Sequence, residues 1–247
     1  MDARAGLVTE VDRRELTRQL RGAVYRGDGV AVVRLLSPDG EAPLQIAGDG
    51  VAIALTQQVD GARRLAVDCI ASLRERDWIG DAELADQLDG LAGTGPTPLL
   101  RPLSVNLEEL SEILEGDPVT AGGALDLHTG EVWPRPAVEY AQEDGVDVEI
   151  PDFDDADRFR WVDGDSRDGY RDMVDFIDTV PDQRLGDRLS DAIRGRGAFR
   201  RFADTLRRES EDELSRWFEF ADERKRGRAR AWLADVGYRV VSGRTLR

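Results

Sequence analysis

Cysteine, histidine and lysine are nearly missing from this chain, with Cys69, His128 and Lys225 each the sole representative of its type in 247 residues. A single thiol excludes an intramolecular disulfide, and its place in the apolar-periodic run of Leu65, Ile70 and Leu73 reads as a small buried core residue. One imidazole excludes a histidine cluster for zinc. Any Ser-His-Asp arrangement has to use His128, yet there is no GxSxG elbow, and no motif supports a pairing of Cys69 with His128. Phosphate loops of the Walker type, and GxGxxG following a strand, are also missing. No window approaches the roughly 20 apolar residues that a membrane span needs, and the opening MDARAGLVTEVDRREL has acidic residues and no apolar core. These absences set the expectation of a soluble cytoplasmic protein without a cofactor and without a membrane partner.

Positive charge is outnumbered, at 34 basic against 50 acidic residues and a formal net charge of -16. The averaged field therefore repels nucleic acid and anionic lipid unless a local patch overrides it. The basic residues are almost all arginine, which holds carboxylates and phosphates in a fixed fork that lysine does not supply. Hydrophobic residues make up 40%, enough for a globular core.

Residues 1–95 read as an all-α module. Leu16, Leu20, Ala23 and Val24 recur at helical spacing; Val30, Val33 and Leu36 follow Gly27-Asp28-Gly29, and Leu44, Ile46 and Ala47 follow Pro43. Ala62 to Arg76 and Asp81 to Leu91 continue the pattern, with Asp81 as N-cap and Gly90 or Gly93 as stop. No repeat of fixed length runs through the module. Residues 96–103 are rich in proline and read as a linker to a domain at 104–247. That domain opens on a helix over Ser104 to Glu115. A short hairpin follows through Leu125 and Val132 with a His128-Thr129-Gly130 turn, and Phe159 to Val162 alternates as a further strand. Tyr170, Met173, Val174 and Ile177 share one helical face, as do Leu185, Leu189 and Ile193. The last helix runs from about Glu211 to Val236, with Gly227 a candidate bend. The fold class expected is α+β, predominantly α, with a small antiparallel sheet.

The order of motifs in the second domain resembles a bacterial family known as uncharacterised protein family 0158. The resemblance is carried by Leu125-Asp126-Leu127 with Thr129-Gly130-Glu131-Val132, by Tyr170-Arg171-Asp172-Met173 to Phe176-Ile177, by GRGAFRRF over 195–202, and by Trp217-Phe218 and Trp232-Leu233 before Gly237. It covers residues 103–239 and implies a mainly helical domain with a small β element, and no chemistry.

Three functional readings are open. The acidic run from Glu143 to Asp157 lacks the register of a calcium loop and reads as a solvated loop. Asp126, Glu131, Asp163 and Asp165 sit near strand ends, where carboxylates of this kind bind magnesium for phosphoryl hydrolysis. Arg194, Arg196, Gly197, Arg200 and Arg201 concentrate positive charge at a helix opening, the arrangement that receives an anion or a partner's carboxylates. In the structural alternative, Phe199 and Phe202 pack inward and the arginines pair with Asp191 and Asp204. Arg224 to Arg230 could extend the basic patch. The leading expectation is a non-catalytic adaptor or regulatory module with a protein partner. The others are a metal-dependent enzyme acting on a phosphorylated or nucleic-acid substrate, and a nucleic-acid-binding protein using the Arg194 to Arg208 face.

Overall fold

Glycine and proline punctuation divides the first ninety residues of the computed structural model into α1 (Ala3–Arg26), α2 (Gly29–Leu36), α3 (Leu44–Thr56), α4 (Ala62–Arg76) and α5 (Asp81–Ala92). The structure describes residues 3–36, 42–115, 122–143, 151–164 and 167–241. The Asp28 carboxylate accepts the Ala31 N–H at 2.9 Å and so caps α2. Pro43, at φ -56°, precedes α3, a nearly all-apolar helix buried from Gln45 to Leu55. Gly80 and Gly93 bracket α5 in left-handed backbone at φ +87° and +75°. Asp81 is thus the first residue inside the helix rather than its cap. Val51, Leu55, Cys69, Leu73, Leu84 and Leu88 make one core of this module, and Leu20, Val32 and Ile46 make another.

The first compact unit also takes in residues from far along the chain, being made of Met1–Leu107, Asp126–Glu131 and Arg226–Arg247. It does not end at the expected linker over 96–103. Strand β1 (Arg101–Leu103) lies inside that linker and pairs in parallel with β5 (Tyr238–Val240), placing Arg101 beside Tyr238 and Leu103 beside Val240. Gln87 of α5 donates to the Val240 carbonyl at 2.8 Å. The prolines at 96 and 98 break the helix, and the three residues that end the linker still extend into a strand.

In this unit a buried polar network is built on Arg226 and Arg230, from the last turns of α11 (Glu211–Asp235). Arg226 Nη2 donates to Asp49 Oδ2 at 2.8 Å and Arg230 Nη2 to Asp49 Oδ1 at 2.6 Å. Arg230 Nε reaches Gln45 Oε1 at 3.0 Å, and Gln45 passes the chain on to Asp81 Oδ1 at 2.8 Å. Arg76 grips Asp81 with two bonds of 2.9 and 2.7 Å and lies over the Trp78 ring, while the Trp78 N–H also donates to Asp81. Each buried ion loses several kcal/mol of hydration, so these charges persist only because they meet. Burial pushes the Asp49 carboxyl up, but the charges of Arg230 and Arg226 outweigh it and hold the group below its ordinary value.

The same helix passes the Ile79-Gly80 corner at backbone distance. A Cβ on Gly227 would fall 2.1 Å from the Ile79 carbonyl oxygen, and one on Gly80 would fall 2.1 Å from that of Gly227. Gly227 is therefore a position of close backbone contact, and α11 continues through it.

The second unit comprises Glu108–Leu125 and Val132–Lys225. The first helix of the expected second domain is shorter than read, α6 (Leu107–Glu115). The expected hairpin forms from β2 (Gly123–Asp126) and β3 (Val132–Pro134), antiparallel with Ala124 opposite Trp133, and β4 (Phe159–Val162) adds a third strand in the order β3-β2-β4. Between them lies α7 (Arg135–Glu143), not anticipated from periodicity; Pro136 sits in its first turn, where the missing N–H costs nothing. Phe153, within the acidic stretch, is buried against Phe159, Ala124 and Val138. The Asp152 and Asp155 carboxylates accept the amides of Asp154 and Asp157, so the described part of that stretch is a folded turn. The helices α8 (Arg167–Asp178), α9 (Gln183–Ala192) and α10 (Ala198–Glu209) complete the unit around Met173, Phe176, Leu189, Phe202 and Trp217. Tyr170 and Val174 depart from the expected inward face and are exposed. Phe176 meets Phe202 and Trp217 edge-on at 6.2 and 5.3 Å.

Candidate functional site

GRGAFRRF forms the corner between α9 and α10, and one side chain shapes it. Asp182 caps the start of α9 through the amides of Arg184 and Leu185, and α9 ends at Ile193. Gly195 and Gly197, both at φ +76°, then turn the chain into α10. Arg201 reaches back from the first turn of α10. Its Nε donates to the Ala192 carbonyl at 2.9 Å and Nη2 to that of Arg194 at 2.6 Å, with Nη1 on the Arg196 carbonyl. These are carbonyls that a helix end leaves without an intrahelical donor, so a guanidinium fork supplies the cap.

Arg201 is thus an internal fastener of the corner, whereas Arg194 and Arg200 lie at its surface. Arg194 pairs with Asp191 at 3.2 Å and Arg200 with Asp204 at 3.7 Å, in each case one turn along its own helix or just beyond it. Asp204 is shared with Arg207 at 2.8 Å. Such exposed pairs are worth a few tenths of a kcal/mol and exchange readily for an outside carboxylate. The Arg196 guanidinium is exposed and makes no ion pair with a described residue. Gly197, the N-cap of α10, provides no side-chain acceptor for the first-turn amides.

The two phenylalanines of the segment part company. Phe202 is 1% exposed and packs on Phe176 and Trp217, as periodicity predicts. Phe199, expected inward, is 49% exposed. Its ring lies over Gly169 of α8, where a Cβ would come within 3.1 Å of Cε1. The two rings stand at i and i+3, and on an amphipathic helix that spacing turns one to the rim of the buried face when the other sits at its centre. The corner therefore carries three exposed arginines and, next to Arg200 in sequence, a half-exposed aromatic ring.

The second basic stretch does not enlarge this surface. Arg224 is turned inward to Asp172 and Asp175 at 2.8 and 2.6 Å, and Arg226 and Arg230 are buried on Asp49 in the first unit. Asp49 and Gln45 were not singled out as site residues in the sequence. Their signal is nevertheless present: two polar residues at i and i+4 in an otherwise apolar helix, matched by two arginines at the same spacing.

The proposed carboxylate set is distributed differently. Asp126 is buried, and its Oδ1 accepts the amides of His128 and Thr129 at 2.8 and 3.2 Å, which makes it the organiser of the hairpin turn. Glu131 is exposed, with its amide donating to the Thr129 hydroxyl. Asp163 is exposed beside Arg135 at 3.6 Å, and Asp165 lies outside the described residues. Among the described residues no three or more His, Cys, Asp or Glu side chains gather as a metal site. No described helix is long and apolar enough to cross a membrane.

Residues 137–247 match the family model of Uncharacterised protein family (UPF0158). The resemblance read from the sequence is therefore confirmed, over a range that starts at 137 rather than 103. The α9–α10 corner falls inside it; the hairpin of β2 and β3 and the five N-terminal helices fall outside. No curated protein and no solved structure matches the chain.

Proposed function

We propose, taking the family match over residues 137–247 as the premise, that the protein is a non-catalytic cytoplasmic adaptor whose α9–α10 corner docks an acidic segment of a protein partner. The observation that carries this reading is the exposure of Arg194, Arg196 and Arg200, together with the half-exposed Phe199 next to Arg200 in sequence, on a corner held by Arg201. Aromatic and arginine side chains are both enriched at protein interfaces. A rigid corner lowers the ordering cost of binding. The choice of a protein over a nucleic acid rests on charge, because a -16 chain opposes a polyanion along its length while a short acidic segment meets only the local patch.

The test is photo-crosslinking in cells with p-benzoylphenylalanine at position 199, compared with the same probe at Arg184 on α9. A discrete protein adduct that is confined to position 199 and lost in the Arg196→Ala/Arg200→Ala protein is expected. Adducts sensitive to nuclease would replace this reading with nucleic-acid binding. The same diffuse ladder from both positions would remove the corner from consideration.

A further inference from the structure

Within the first unit, α1 and α2 enclose a cleft of about 330 Å³ whose charge runs opposite to that of the chain. Arg18, Gly22 and Arg26 follow one another at four-residue steps along α1, and Arg34 faces them from α2. Ala23 and Leu35 line the cleft between these polar groups. No carboxylate lines it among the described residues, although acidic residues outnumber basic ones 50 to 34 in the whole chain.

The arginines are not equivalent. Arg18 is held by Glu15 through bonds of 2.8 and 2.5 Å, and that contact, followed by Gln19, pulls the Glu15 carboxyl down to about 2. Arg26 and Arg34 make no ion pair with a described residue. Both stand in the last turn of their helices, where a cation is favourable against the helix dipole. That placement accounts for arginine at each position separately but not for the convergence of both on one concavity. Gly22 is the second sign. Glycine is the least favourable residue inside a helix after proline, and here it lets the Arg26 guanidinium lie close against α1: a Cβ would sit 3.1 Å from Arg26 Nη1.

We infer that this cleft binds a small soluble phosphate monoester, with the phosphate on Arg26 and Arg34 and the organic body against the partly exposed Leu35. Guanidinium groups match phosphate oxygens in a fork geometry. The volume lies at the lower end of the range for small-ligand sites. The inference is independent of the docking reading, since the cleft lies outside residues 137–247.

The test is a titration of the isotope-labelled full-length protein with phenyl phosphate and with AMP at 50 mM salt, followed by amide chemical shifts. Saturable shifts confined to residues 18–35 are expected, with affinity falling about tenfold or more in both Arg26→Gln and Arg34→Gln. Gly22→Val, which fills the cleft, should weaken binding similarly, and thermal melts of each variant establish that it is folded. Three results would overturn the inference. These are no saturable shift up to 10 mM ligand, binding indifferent to both arginine substitutions, or an equal response to inorganic phosphate and sulfate, which would mark a bare counter-ion site. Binding seen only with phosphatidic acid vesicles would also overturn it.

Discussion

Asp49 shows how much a single buried residue can decide. Its carboxylate is enclosed by Arg226 and Arg230 in the first unit, with both oxygens accepting. Asp49→Asn keeps the shape and removes the charge, leaving two guanidinium groups buried against a neutral amide. The expected cost at pH 7 is about 3–5 kcal/mol, read from the shift of the urea midpoint. The pH dependence follows from the sign of the shift. Because the folded carboxyl lies below its ordinary value of about 3.9, the stabilisation is complete above about pH 4 and is lost as pH falls through the folded value. The difference between wild type and Asp49→Asn should therefore be constant from pH 7 to 5 and shrink below pH 4. A difference that did not shrink in acid would mean that Asp49 contributes through packing rather than charge. Asp89 follows the same direction, its carboxyl held down by the Thr94 hydroxyl first and by Arg74 against partial burial, but at the surface the effect is small.

At the scale of elements, two contacts set backbone against backbone or side chain against helix end. Gly227→Ala replaces glycine in a 25-residue helix, a change that by propensity alone gains about 1 kcal/mol. The new Cβ would lie 2.1 Å from the Ile79 carbonyl, and neither backbone can rotate away. Overpacking of this kind costs about 1–3 kcal/mol, so the net effect is destabilising and appears as a lower melting temperature. A gain in stability would mean that the two backbones separate without cost. Arg201→Ala removes the cap on the carbonyls of Ala192, Arg194 and Arg196. Its cost should be about 1 kcal/mol, since the bonds are charge-assisted but exposed, and Arg201→Lys should recover little because an ammonium lacks the fork. Amide exchange at the end of α9 measures both variants.

At the scale of the whole molecule, the first unit is closed by residues from the end of the chain. Deleting residues 226–247 removes Arg226, Arg230 and strand β5 together, and with them the bonds that Asp49, Gln45 and the Gln87 side chain make to those residues. The expected result is fast amide exchange throughout α3 and α5, and protection there equal to that of the full chain would overturn it. Most helices were legible because their apolar residues repeat at helical spacing and glycine marks their ends: Leu65, Ala66, Cys69, Ile70 and Leu73 specify α4 whatever lies around it. The hairpin was legible for a similar reason, a short turn between two apolar segments. Strand β1 was not, because three residues with a proline at their centre acquire a strand conformation only through β5, over a hundred residues away. The arginine corner was half legible. Its charge, its glycines and the buried Phe202 follow from local pattern, whereas the roles of Arg201 and Phe199 depend on which carbonyls and which glycine lie within reach. The sequence by itself determined the α-rich class, the approximate bounds of most helices other than α7, and the family match, since each is a property of neighbours along the chain. Only the tertiary structure decided which arginines are buried fasteners, which stay at the surface and which converge on a cleft. A guanidinium group is the same in every sequence, and its role is set by the acceptors that folding brings to it.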